Sequence, residues 1–291
     1  MNFNGHEFDD DDDVVPETQY TISDFKYTTP FKRDDAIVHF NLCGKSFFKK
    51  VFKAFPLSKL VHFRFKKDKL EAMLEQTKTY SFSVAMDKGI FPVYDVKSED
   101  VLLSISSKLF LHIVNRLKND DDTMEFYYNG EGSDVVIDIL GQGEYFSQYT
   151  PTIECTKYKS LSLFGMEKDV EIILSPGMLL RVLRTVEKSM KFISFSFEPQ
   201  TFEIFLEGKN FERRINCVYS DTSYVHRLVV LEGKIKMDYP LAPFTLIQKA
   251  LKVGRELNLI IYKNGLMHIT IYATDMTEFV SSFELYVVPL N

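Results

Sequence analysis

The sequence predicts an α+β protein of two tandem domains, built from antiparallel sheets and four basic helices. Three observations lead there. Short β-branched and aromatic runs separated by turn residues recur along most of the 291 residues, as in an antiparallel meander. Two stretches repeat one order of elements, namely strand, helix, four strands, helix and hairpin. Positive charge is concentrated on the helices of a chain whose formal net charge is −6.

In chain order, residues 1–33 read as a tail. Five consecutive aspartates at 9–13 repel one another and carry nothing to bury, so this segment is expected to be disordered. Residues 36–42 (AIVHFNL) form a strand, and 44–55 a helix that Pro56 ends. Phe48, Val51, Phe52 and Phe55 make its apolar stripe; Lys45, Lys49 and Lys53 line the opposite side, with Lys50 at the border. Strands follow at 60–65, 70–74, 80–86 and 101–105. Ser106 and Ser107 cap a second helix reaching Lys118, with Leu109, Phe110, Ile113, Val114 and Leu117 inward and Lys108, His112 and Arg116 on another face. Residues 124–128 and 135–140, joined through Asn129-Gly130, make a hairpin.

The second half starts with a strand at 170–174. Ser175 caps, and Pro176 opens, a helix expected to run to Lys191. Leu179, Val182, Leu183, Val186 and Met190 form its apolar stripe, and Arg181, Arg184, Lys188 and Lys191 its cationic one. Strands at 192–197, 202–206, 213–219 and 234–237 precede a helix at 243–256, with Phe244, Ile247, Ala250 and Leu251 inward and Lys249, Lys252 and Arg255 outward. Strands at 257–262 and 267–272, joined by Asn264-Gly265, form the matching hairpin, and 279–288 closes the chain. The first helices begin at 44 and 176 and the second at 107 and 243, so the helix spacing is 63 residues in one half and 67 in the other.

Counted with their own acids, the four predicted helices carry +4, +3, +3 and +2. Their total of +12 leaves −18 for the remainder. A single such helix is a solvated face. Four of them in an acidic chain point to a common polyanion, and the phosphate backbone of nucleic acid supplies one without base readout. No zinc-finger spacing or recognition-helix motif is present. The three cysteines, Cys43, Cys155 and Cys217, are odd in number and widely spaced, which suits a reduced chain and suggests neither a disulfide framework nor a zinc site. No signal peptide is visible, and no apolar run approaches the ~20 residues of a membrane helix. A soluble protein of the cytosol or nucleus is expected.

With these residues in view, the chain resembles the DNA sliding clamps of the PCNA fold. The resemblance is strongest to the Rad-one subunit of the heterotrimeric DNA-damage checkpoint clamp, whose other members are Rad-nine and Hus-one. The tract KLEAMLEQTKTYSFSVAMDKGIFPVYDVKSEDVLLSISSKLFLHIVNRL at 69–117 carries it: strand, polar link, strand, Gly89-Ile90-Phe91, an aromatic-rich link, then a strand entering a Ser-capped helix. Residues 36–140 hold most of the likeness; 170–291 match in element order and in the closing FELYVVPL.

The resemblance implies tandem PCNA-like domains at 34–159 and 170–291, joined by a connector at 160–169. It implies a ring threaded by double-stranded DNA, helices inward and sheets outward, closed through edge strands expected near 150–157 and 213–219. The DNA-facing residues would be Lys45, Lys49, Lys50, Lys53, Lys108, Arg116, Lys118, Arg181, Arg184, Lys188, Lys191, Lys249, Lys252 and Arg255. Leu161, Leu163, Phe164 and Met166 of the connector would border an outer pocket for partner peptides; the plainer reading is that they pin the linker to the sheets. Implied partners are Rad-nine-like and Hus-one-like subunits, a clamp loader and repair enzymes, in the nucleus. Gln19, Ile22, Phe25 and Tyr27 loosely resemble a clamp-binding peptide, but Lys26 splits the aromatic pair and coincidence is the favoured reading.

Three other functions compete with the checkpoint subunit: a homotrimeric replicative processivity factor, a nuclease, and an adaptor for an acidic protein. A metal-dependent nuclease needs converging carboxylates. Asp95, Glu99 and Asp100 cluster only in an expected loop, and His39, His62, His112, His226 and His268 lack metal-ligand spacing. No enzymatic activity, cofactor or metal is expected.

Overall fold

A computed structural model describes residues 32–43, 46–54, 59–74, 77, 79–141, 143–153, 163, 165–208, 212–218, 224–231, 233–274 and 280–290. The tail, its five aspartates and the peptide at 19–27 lie outside these residues. The first half runs β1 (Val38–Cys43), α1 (Ser46–Ala54), β2 (Leu60–Lys66), β3 (Lys69–Leu74), β4 (Tyr80–Asp87), β5 (Val93–Val96), β6 (Asp100–Ser106), α2 (Ser107–Asn115), β7 (Thr123–Tyr128), β8 (Val135–Gly141) and β9 (Glu144–Thr150). The second runs β10 (Lys168–Leu174), α3 (Pro176–Leu183), β11 (Phe192–Glu198), β12 (Thr201–Glu207), β13 (Glu212–Val218), β14 (Val225–Val230), β15 (Ile235–Pro240), α4 (Ala242–Leu246), α5 (Gln248–Val253), β16 (Glu256–Tyr262), β17 (Met267–Thr274) and β18 (Val280–Val287).

The repeat is tighter than expected. Each half places five strands, not four, between its helices and three after the last one. The strands absent from the sequence reading are β5 and β14, and β9 lies earlier than the edge strand expected there. Val93–Val96 is a four-residue strand directly after Pro92, too short to show alternation. The edge expected near 150–157 lies earlier, at Glu144–Thr150; beyond it only Ile153 bridges Ser104, and 154–162 are outside the described residues.

All strand pairs are antiparallel. The five-stranded sheet has the order β5-β1-β7-β8-β9, the four-stranded sheet β13-β12-β11-β15, and the nine-stranded sheet β14-β10-β16-β17-β18-β4-β3-β2-β6. The last spans both halves, because β18 pairs with β4 from Ser281 opposite Met86 to Val287 opposite Tyr80. Aromatic side chains lock the layers. Phe40 of the five-stranded sheet meets Phe65 of the nine-stranded one at 5.9 Å between ring centres. In the second half the buried Tyr239 hydroxyl donates to the Gly265 carbonyl in the β16–β17 turn at 2.8 Å.

Each half also seats a helix on its sheet through one phenylalanine. Phe110 of α2 meets Phe63 edge-on at 4.9 Å, and Phe244 of α4 lies 5.6 Å from Phe195. α1 joins the first group through Phe52, 4.9 Å from Phe110. α1 packs against both α2 and α5, and α5 against α3, so the helices form one continuous layer in the order α2-α1-α5-α3.

Three helices are shorter than their apolar spacing suggested; α2, expected to reach Lys118, ends at Asn115. The one expected at 176–191 ends at Leu183. There the bonding tightens to three-residue closures, Thr185 N–H to the Val182 carbonyl at 3.0 Å and Val186 N–H to the Leu183 carbonyl at 3.4 Å, and the Thr185 hydroxyl also donates to the Val182 carbonyl at 2.7 Å. Met190 is nonetheless buried and Val186 packs on the core, so their spacing reported burial without helix. The helix expected at 243–256 breaks at Ile247 (φ −86°, ψ 0°) and stops at Gly254. A β-carbon at Gly254 would stand 2.2 Å from Ile271 Cγ2, so only glycine lets the chain pass β17 here.

Candidate nucleic-acid interface

The cations reach the helix layer through the same amphipathic spacing that buries its underside. In α2 the Ser106 hydroxyl accepts the Leu109 N–H at 3.4 Å and starts the helix. Phe110, Ile113 and Val114 are buried, while Lys108, His112 and Arg116, four residues apart, are exposed. On α3, Leu179, Val182 and Leu183 are buried and Gly177, Arg181 and the capping Arg184 exposed. On α1, Val51, Phe52 and Ala54 are buried and Lys50 and Lys53 exposed; on α5, Ala250 and Leu251 are buried and Lys249 and Lys252 exposed.

The predicted cationic set thus divides. Lys49, Lys50, Lys53, Lys108, Arg181, Lys249 and Lys252 are on helices. Arg116 and Arg184 cap helices, Lys118 and Arg255 follow them, and Lys188 and Lys191 lie in the link to β11. The last four are corrections to the predicted helical positions, caused by the early helix ends, although all four remain exposed. Lys45 lies outside the described residues. No helix of the layer contains an acidic residue.

The ion pairs of the described residues all lie outside this layer, although Lys32, Lys59, Lys67, Lys88, Lys97 and Lys236, also outside it, hold no carboxylate. Arg64 binds Asp100 through two bonds of 2.8 and 2.6 Å and lowers its pKa. Burial raises the Glu71 pKa, but bonds from Lys66 (2.8 Å) and Lys69 (2.7 Å) outweigh it, and the carboxylate stays below its usual range. Arg33 binds Asp138 at 2.7 Å, and Lys263 binds Glu167 at 2.6 Å. Every such pair lies on strands, turns or links. Among the described side chains, Lys50, Lys53, Lys108, Arg116, Arg181, Arg184, Lys249 and Lys252 of the helix layer pair with no carboxylate. Arg116 and Arg181 instead lie over the rings of Phe146 and Tyr224.

The acidic candidates behave differently. Asp95 sits in strand β5 rather than in the expected loop, and Asp100 opens β6 held by Arg64. Among the described residues no three His, Cys, Asp or Glu side chains are grouped as a metal site. Of the connector residues, Leu163 and Met166 pack on Ile260, Tyr262 and Leu266, whereas Leu161 and Phe164 lie outside the described residues. β9 and β13 are edges of their sheets, and β9 exposes Tyr145 and Tyr149.

Compared by sequence, the chain matches no protein-family model and no curated protein. Its structure is similar to that of Proliferating Cellular Nuclear Antigen from Entamoeba histolytica, with a TM-score of 0.70, 10% identity, and coverage of 88% of this chain and 100% of the other. The chain has the PCNA clamp fold. PCNA from Thermococcus kodakaraensis has this fold too (TM-score 0.69, 17% identity, 87% and 100% covered), as does the PCNA2-PCNA3 complex from Sulfolobus tokodaii (0.69, 12%, 86% and 98%). In this clamp fold the α+β arrangement expected from the sequence is realised, with the four predicted helical regions gathered in one layer.

Proposed function

We propose that this protein is a non-catalytic DNA sliding clamp subunit that encircles double-stranded DNA without base readout. The observation carrying this reading is the layer of exposed helix cations with no carboxylate partner among the described residues. Like charges gathered on one layer repel unless a polyanion neutralises them, and duplex DNA does so while releasing its own counterions. The PCNA clamp fold supports the same reading.

The finer proposal is a subunit of a heterotrimeric checkpoint clamp of the Rad-one kind. It would act in the nucleus with Rad-nine-like and Hus-one-like neighbours, a clamp loader, and repair enzymes docking near the connector. Clamp domains at 34–159 and 170–291 and ring contacts through β9 and β13 belong to this proposal. The Sulfolobus tokodaii structure, a PCNA2-PCNA3 complex, supports association between unlike clamp chains. The competing reading is a homotrimeric replicative factor.

The test is binding of the full chain to labelled duplex DNA over a salt series. Affinity should fall linearly on logarithmic axes, and replacing Lys50, Lys53, Lys249 and Lys252 with Ala should flatten the slope by about 3 to 4, at ~0.9 per phosphate contact. An unchanged slope would remove the helix layer from DNA binding. Light scattering over a dilution series separates the finer readings: a stable trimer favours the replicative factor, a monomer the heterotrimer.

A further inference from the structure

Four described arginines lie over aromatic rings, and they are of two kinds. Arg33 is 5.7 Å from the centre of the Tyr127 ring and Arg214 is 5.2 Å from that of Phe205. Both also hold carboxylates: Arg33 takes Asp138 at 2.7 Å, and Arg214 takes Glu203 at 3.1 Å and Glu212 at 3.3 Å. The other two belong to the outermost helices of the layer. Arg116, at the end of α2, lies 4.0 Å from the centre of the Phe146 ring on edge strand β9. Arg181 of α3 lies 5.2 Å from that of Tyr224 and donates to its hydroxyl at 3.3 Å. Neither pairs with a carboxylate among the described residues.

A guanidinium is planar, and its five N–H donors lie in that plane. When one face rests on an aromatic ring, rotamer freedom is lost in advance while the in-plane donors stay available. Such a group grips two oxygens of a phosphate in a single geometry, and less entropy is lost on binding. In Arg33 and Arg214 carboxylates occupy those donors. In Arg116 the ring is present without the carboxylate, and in Arg181 one donor is given to the Tyr224 hydroxyl while the rest of the fork meets no carboxylate among the described residues, both on the layer where anion binding is expected. The lysines of α1 and α5 are point charges on flexible stems and have no comparable brace.

We propose that Arg116 and Arg181 are preset phosphate forks at the two ends of the helix layer, and that Phe146 and Tyr224 are the positioning residues that hold them. This rests on the nucleic-acid reading. It goes beyond it by giving geometry to two residues and a function to two aromatic ones that carry no charge.

The experiment measures duplex-DNA affinity of the full chain across a salt series for wild type, Phe146→Leu, Phe146→Tyr, Arg116→Lys and Tyr224→Leu, with thermal melting alongside. Phe146→Leu removes the ring but no charge, so the salt slope should stay constant while affinity drops roughly three- to tenfold at every salt. Phe146→Tyr should restore affinity. Arg116→Lys, which keeps the charge, should bind as weakly as Phe146→Leu. Tyr224→Leu should show the same loss through Arg181. Affinities of Phe146→Leu and Arg116→Lys equal to wild type would overturn the proposal. So would a loss in Phe146→Leu that follows a fall in melting temperature while Arg116→Lys binds normally, because the ring would then only support β9. If the wild-type chain shows no salt-dependent binding, the nucleic-acid reading itself fails, and this proposal with it.

Discussion

The solvent faces of the sheets and the solvent face of the helix layer are both rich in charge, but among the described residues all the ion pairs between neighbouring elements lie outside the layer. On the sheets several cations meet a carboxylate on their own or a neighbouring strand, as in Arg64 with Asp100 across β2 and β6 or Lys66 with Glu71 across β2 and β3, while Lys236 on β15 stays unpaired among these residues. Such cross-strand pairs each contribute a few tenths of a kcal/mol to about 1 kcal/mol and favour one register. On the helices the cations of α1, α2, α3 and α5 have no carboxylate among the described residues, and the layer is held from below by Phe52, Phe110 and Phe244. Part of the charge on the sheets is neutralised within the chain, although Lys236 and Asp238 on β15 and Asp95 on β5 hold no ion pair among the described residues. Charge on the layer is left for something else.

The largest effect expected from this contrast lies beneath the layer. Phe52→Ala should lower the unfolding free energy by about 3–5 kcal/mol in urea titration, since it empties a fully buried site between Phe63 and Phe110. A loss under about 1 kcal/mol would mean that the layer does not hang on its apolar underside. Next comes a group on the sheets that is kept neutral rather than paired. Burial, and then Lys168, pull the His268 imidazole down to about 4, where it stacks on Tyr286 at 4.2 Å. Between about pH 6.5 and pH 4 the unfolded chain takes up a proton that the native state refuses. Stability should therefore fall with pH across that window, by on the order of 2–3 kcal/mol from this residue, and His268→Gln should flatten the curve. Equal acid sensitivity in that variant would assign the effect elsewhere.

Gly254→Ala sharpens the contrast at one edge of the layer. It should cost about 1–3 kcal/mol, because the added methyl meets Ile271 across a closed contact. The smallest effect belongs to the exposed lysines. Lys50→Ala, Lys53→Ala, Lys249→Ala and Lys252→Ala should each leave stability within about 0.5 kcal/mol, measured by the same urea titration. A loss above 1 kcal/mol in any of them would erase the distinction between the two faces.

The helices show how far sequence reasoning reaches and where it stops. The apolar and cationic faces of α1 and α2 are legible because each apolar residue recurs at helical spacing, in α2 after a capped start. The length of α3 is not, because Val186 and Met190 keep that spacing after the helix has ended, Met190 buried and Val186 packed on the core in the link to β11. The break at Ile247 is likewise invisible, since Phe244, Ile247, Ala250 and Leu251 are all buried and the apolar pattern runs through it without interruption. Strands β5 and β14 were missed and β9 was placed too late: β5 has only four residues, and neither β9 nor β14, both sheet edges, alternates between buried and exposed positions. Phe146 and Tyr224 could not have been singled out: each is one aromatic among many, made specific only by an arginine distant in sequence and close in space.

The sequence by itself determined the α+β class, the doubled order of elements, and the segregation of positive charge onto helical segments, because these depend on local periodicity and composition. The tertiary structure alone decided that the final strand β18 joins β4 to fuse both halves in one nine-stranded sheet. It alone also decided that α2, α1, α5 and α3 lie side by side, and which cations find carboxylates and which do not. Those outcomes depend on contacts between residues far apart in the chain, and no local pattern encodes a distance.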